Sequence, residues 1–133
     1  MKTIITAFLL VAIAFKANSQ CLKDSVFVTD SIGSYTDKMP IRLYVNIKND
    51  SIIISPDKFL NARLLVFKII SRKRCDWNSN FTSGITSYEA MPIGTGDLPK
   101  FPLVNIIYKP NGQKYIEILY EKSEPRVLSI SNK

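Results

Sequence analysis

The stretch Ile41-Arg42-Leu43-Tyr44-Val45-Asn46-Ile47-Lys48 places an apolar residue at every odd position. That is the period of a strand with one buried face, because successive side chains of an extended chain point to opposite sides. Asn49-Asp50 follows, then Ser51-Ile52-Ile53-Ile54. Asn and Asp tolerate positive φ, so the pair predicts a tight hairpin turn. If Lys48 faces Ser51, then Ile47 faces Ile52 and Val45 faces Ile54, and those four side chains share one face. A one-residue slip would send one strand's set to the opposite side.

Ser55-Pro56-Asp57 combines an N-cap residue, a proline suited to the first helical position and an acid at the positive end of the dipole. It predicts a short helical turn from Pro56 to Asn61. Leu64 to Ile70 is apolar on both faces, and periodicity alone does not separate a buried strand from a buried helix there. Its strand neighbours favour a central strand, ended by Arg72-Lys73-Arg74. Phe81 to Ala90 has strand composition, with Gly84 as a candidate bulge. Pro92, Gly94, Gly96, Pro99 and Pro102 mark a loop of about ten residues, longer than the usual median of about 4–6.

Asn111-Gly112 lies between the apolar runs Leu103–Lys109 and Lys114–Tyr120 and predicts a second hairpin. Pairing Lys109 with Lys114 sets Tyr108 opposite Tyr115 and Ile107 opposite Ile116, with the two lysines splayed into solvent. Arg126–Ile130 and Ser25–Thr29 read as the last and first strands. The expectation is an all-β, single small antiparallel sheet domain of about seven or eight short strands, with at most one short helix. Meander, open barrel and sandwich all fit. The dominance of hairpins between sequence neighbours favours a curved sheet or open barrel.

The N-terminus reads differently. Lys2 precedes a run from Ile4 to Phe15 that is apolar except for Thr6, and small residues Ala17 and Ser19 follow. A charged start, an apolar run of roughly 7–15 residues and a small-x-small site describe a secretory signal peptide. The expected cut falls after Ser19, dividing the chain into a signal peptide at residues 1–19 and one secreted β domain at residues 20–133. The run is short of the roughly 20 residues a membrane helix needs. No later segment reaches that length, so no transmembrane span is expected in the mature chain. Removing 19 of the 133 residues leaves 114, enough for one core.

Losing Lys2 and Lys16 leaves 16 basic and 11 acidic residues, a net charge of +5. The excess is spread along the chain. It permits attraction to phosphates, acidic sugars or anionic surfaces without naming a partner. Cys21 and Cys75 remain, and in an oxidising compartment such a pair reads as a disulfide. Closing a loop of that length contributes roughly 3–4 kcal/mol in the chain-entropy view. The rival reading makes Cys21 a lipid-modified N-terminus, but Gln20 before it departs from the small-residue pattern of such sites. Secretion or export to a periplasm is the expected localisation.

The chain has no histidine, which removes Ser-His and Cys-His nucleophilic systems and the commonest metal ligand. With the cysteines paired, no metal site and no cofactor are expected. Gly94-Thr95-Gly96-Asp97 lacks the surroundings of a Walker or dinucleotide motif. Asn49-Asp50-Ser51 and Asn80-Phe81-Thr82 match the N-glycosylation pattern, which matters only in a eukaryotic secretory pathway. The carboxylates Asp76, Glu89, Asp97, Glu117, Glu121 and Glu124 show no spacing that selects a catalytic pair. Glu117 alone sits amid an apolar strand, where it reads as outward-facing.

Arg72-Lys73-Arg74-Cys75-Asp76-Trp77 is the most unusual segment. Its basic residues suit an anionic ligand, and Trp77 suits stacking on a ring. The structural alternative is equally concrete: basic residues end strands and discourage edge pairing, and Trp77 covers the disulfide. The leading expectation is a non-catalytic binding domain, inhibitor-like in one version, for a protein or ligand partner. A His-free carboxylate hydrolase and a basic-surface polyanion or envelope binder are the alternatives. No sequence-specific nucleic-acid recognition is expected.

Overall fold

The computed structural model describes Cys21 and residues 24–58, 62–94 and 100–131. The signal-peptide segment, residues 59–61 of the expected helical turn, and residues 95–99 of the Gly/Pro-rich loop, with Asp97, lie outside the described residues. Eight antiparallel strands run in sequence order: β1 (Ser25–Gly33), β2 (Lys38–Ile47), β3 (Ser51–Ser55), β4 (Leu65–Trp77), β5 (Gly84–Pro92), β6 (Leu103–Tyr108), β7 (Lys114–Leu119) and β8 (Arg126–Ile130). Each pairs with the next, and β8 pairs with β1, so the meander closes into a barrel. Closure pairs the first strand with the last, the two that an open sheet would leave as its outer edges. It is made by the second half of β1, where Thr29 meets Ile130 and Gly33 meets Val127 beyond a bulge at Thr29/Ser31.

The first hairpin has the register the alternation requires, with Val45 opposite Ile54 and Ile47 opposite Ile52. All four are buried inside the barrel, alongside Leu43, Phe67, Ile106, Ile116, Ile118 and Leu128. A barrel of eight strands is just wide enough for such side chains to fill it. The interior is accordingly a packed core.

The second hairpin differs from the expected register by one residue. Tyr108 faces Lys114, Ile107 faces Tyr115 and Ile106 faces Ile116. The loop is Pro110-Asn111-Gly112, closed by Lys109 N donating to Gln113 O at 2.8 Å, with Gly112 at φ 91°. A three-residue loop ending in a left-handed glycine counts one residue shorter than the loop assumed from the sequence. Face consistency decides between them, because only this register puts Ile106 and Ile116 together inside.

Two other expectations need correction. Arg72-Lys73-Arg74 does not end a strand, since β4 continues through it to Trp77 on hydrogen bonds from β5. After Ser55 the chain makes a side-chain-closed turn. Ser55 Oγ accepts from Asp57 N at 3.0 Å and donates to the Ala62 carbonyl, and no helix occurs among the described residues. No helix among them is long and apolar enough to cross a membrane.

Candidate functional site

β3 has five residues and β4 thirteen. Pro56 follows β3 directly, and a proline brings no N–H to a ladder. At the other end, β3–β4 pairing stops at Ser51 and Lys68, and the β2–β3 turn is held to β4 by Ile69 N donating to Asp50 O at 2.9 Å. Beyond that point the strand pairs of the described residues bind β4 only to β5. The barrel wall therefore has a notch on the free side of β4.

The chain start crosses the same region. Cys21 is joined to Cys75 of β4 by a disulfide, with the Cα atoms 5.3 Å apart. That is within the usual span for a bridge. The notch is a cleft of about 790 Å³. Ile47, Lys48 and Asn49 form one wall, Ile69 to Arg72 the other, and Cys21, Asp24 and Tyr88 complete it.

Bulges set what β4 presents to this cleft. Register shifts fall at Ile69/Ser71 and Arg72/Arg74, and they make Arg72 the cross-strand partner of Tyr88. A bulge bends the strand and re-aims its side chains. Tyr88 lies on the inner face of β5 and is 7% exposed. Burial holds its hydroxyl protonated above the ordinary tyrosine range; the charge of Arg72 opposes this and that of Asp24 reinforces it. The cleft thus combines isoleucine walls, a phenol, two cations from Arg72 and Lys48, and the carboxylate of Asp24. Five of the ten described lining residues are polar or charged, so the lining is amphipathic and more polar than the mostly apolar walls of a usual small-molecule site.

The segment singled out in the sequence is dispersed by the fold. Arg72 lines the cleft. Lys73 pairs with Glu89 at 3.2 Å and Arg74 with Asp76 at 3.5 Å, both on the exposed wall. Trp77 is 3% exposed, and its Nε1 donates to Thr86 Oγ1 at 2.6 Å. Its ring packs edge-on to Tyr108 at 5.0 Å and tilted against Phe81 at 6.1 Å. Of the four residues only Arg72 reaches the cleft, while Trp77 is a core residue whose polar tip is satisfied.

Glu117 faces outward, as its place in β7 implied. Asn105 Nδ2 donates to its Oε1 at 2.9 Å, and the Tyr35 hydroxyl donates to its Oε2. Partial burial, then Glu117, push the Tyr35 hydroxyl pKa far upward. Tyr35 belongs to the β1–β2 connection and is 82 residues from Glu117, so no local pattern announces the contact. Asp24, Lys48 and Tyr88 were equally invisible as site residues, because each reads alone as an ordinary strand or turn residue.

Among the described residues no group of three or more His, Cys, Asp or Glu side chains is placed to hold a metal ion. Comparison with protein-family models, curated proteins and solved structures finds no match.

Proposed function

We propose that this is a secreted or periplasmic, non-catalytic binding domain whose ligand seats in the notch beside β4. The observation that carries the reading is the 790 Å³ cleft left where β3 stops short, set against a barrel interior filled by side chains. Its lining suits an amphipathic small molecule, or the side chain of a protein partner, with an apolar part against Ile47, Ile69 and Ile70. A polar or anionic end would meet Arg72, Lys48 and the Tyr88 hydroxyl.

The hydrolase alternative has less support. Asp24 is the only carboxylate among the described lining residues, whereas glycosidase chemistry uses two, roughly 5–9.5 Å apart. Secretion is supported by the leader-like N-terminus and by the disulfide, which persists in oxidising compartments.

The test is recovery of the ligand. Protein purified from its native source is denatured, and the released material is identified by mass spectrometry. Ile70 is 45% exposed at the cleft, so Ile70→Trp obstructs the apolar wall of the cleft at little structural cost. The parent releases a defined molecule and Ile70→Trp does not. Equal release from both, or release from neither, refutes the reading.

A further inference from the structure

The lysines of the β6–β7 hairpin do not stand free in solvent; each lies against a different tyrosine ring. Lys109 Nζ lies 5.4 Å from the centre of the Tyr115 ring, and Lys114 Nζ lies 4.7 Å from that of Tyr108. Lys38, at the start of β2, reaches the same region and donates from Nζ to Ser129 Oγ at 3.0 Å. These three lysines line one recess of about 290 Å³ with Tyr35, Gln113 and Tyr115. No Asp or Glu appears among its described lining residues. Glu117, further along β7, has its oxygens engaged by Asn105 and Tyr35, and one carboxylate against three lysines leaves an excess of positive charge.

We propose that this recess binds an anionic polysaccharide, seating its sulfate or carboxylate groups on Lys38, Lys109 and Lys114 and one sugar ring against Tyr35. The site is separate from the cleft beside β4 and does not depend on it.

Four observations lead to that ligand class. Lysine ammoniums are compact point charges without the planar fork of arginine, so they accept sulfate and carboxylate groups in varied orientations. Two of the three already lie over tyrosine rings, which lowers the ordering cost of binding. Tyr35 is 48% exposed, yet its hydroxyl is tied to Glu117 and its ring stands edge-on to Tyr115 at 5.7 Å. It is a fixed aromatic surface open to solvent, the kind of amphipathic platform that tyrosine supplies at binding sites. Finally, a recess of about 290 Å³ is at the low end for a ligand pocket and holds one ring, so a chain would enter and leave over the surface. Single-stranded nucleic acid is disfavoured, because its binding tracks use successive aromatic platforms and only one open ring faces this recess.

The experiment is calorimetric titration of the purified protein with a heparin octasaccharide, oligo-dT and inorganic sulfate as probes. The octasaccharide binds at low salt and weakens roughly tenfold or more on a fourfold rise in salt, as expected for about three ionic contacts. Combined Lys38→Gln, Lys109→Gln and Lys114→Gln substitution weakens it at least about tenfold and flattens the salt dependence. Tyr35→Leu weakens it without changing that slope. Arg72→Gln, Lys73→Gln and Arg74→Gln together leave it unchanged. Amide shift mapping on the parent gives an independent readout, with perturbations at Lys38, Gln113, Tyr115 and Ser129. The proposal fails if the octasaccharide does not bind at low salt, if the lysine variant binds like the parent, or if the shifts map elsewhere. Tighter binding of oligo-dT, or equal binding of sulfate alone, at the same lysines also overturns it.

Discussion

Gly84→Ala tests the packing of the corner that closes the wide end of the β4–β5 ribbon. Gly84 is the cross-strand partner of Trp77, and a Cβ at Gly84 would sit 2.6 Å from Trp77 Cδ2 and 2.5 Å from the Asp76 carbonyl oxygen. The residue has φ 153°, a conformation that L side chains rarely adopt. The indole has no free direction of retreat, since Nε1 is bonded to Thr86 and the ring is flanked by Phe81 and Tyr108. Backbone strain of about 1–3 kcal/mol and overpacking of about 1–3 kcal/mol combine to about 2–6 kcal/mol. Gly112→Ala is the matched control. Its φ is 91°, but nothing lies within 4 Å of the added carbon, so only a backbone cost of about 1 kcal/mol applies. For a domain of this size Gly84→Ala lowers Tm by roughly 8–24 °C and Gly112→Ala by roughly 4 °C. Thermal unfolding followed by circular dichroism, with the disulfide intact, measures both. If Gly84→Ala costs no more than Gly112→Ala, the indole does not lie over Gly84 as described.

Val45→Asp and Ile47→Asp each place an unpaired charge in the barrel and abolish cooperative urea unfolding, whereas Arg42→Asp and Asn46→Asp, on the outer face, stay within about 1 kcal/mol of the parent. Equal damage at all four positions would contradict the one-sided strand. Cys75→Ser lowers stability by up to about 4 kcal/mol, and the parent's intact mass is two hydrogens below that of its reduced form; a free Cys75 thiol beside a lipid-modified Cys21 would end that reading. Tyr35, Tyr88 and Tyr108 all have raised folded-state pKa values, with burial the first cause. The folded state therefore holds protons that the unfolded state releases, so the contribution of these tyrosines to stability is fully present below about pH 10 and is lost as pH rises above it. Tyrosinate absorbance and urea midpoints at stepped alkaline pH follow this, and a stability that rises there refutes the assignment.

How far the sequence could be read depended on where each pattern's information lies. The β2–β3 hairpin was legible because alternation and turn chemistry agree, and burial on one face penalises every other register. Asn111-Gly112 announced a turn but not its length, since a polar Gln113 fits either the loop or the strand. The basic triplet misled for a related reason: side chains in solvent say little about whether the backbone beneath them is paired, and β5 pairs it. Trp77 beside cations suggested a stacking surface, yet Thr86 and Tyr108 give the indole a better place inside. Barrel closure and the cleft both come from long-range pairing. The cleft exists because β3 is short beside β4, a relation between strand lengths that no single segment encodes.

The central claim is that the ligand sits in the notch beside β4 and not in the barrel interior. Intermolecular nuclear Overhauser contacts from the recovered ligand test it most directly. Contacts to the side chains of Ile69, Ile70 and Arg72, and none to Ile52, Ile106 or Ile116, are the predicted result. Contacts to Ile52, Ile106 and Ile116 would mean that the core opens to take the ligand, and the account would be wrong.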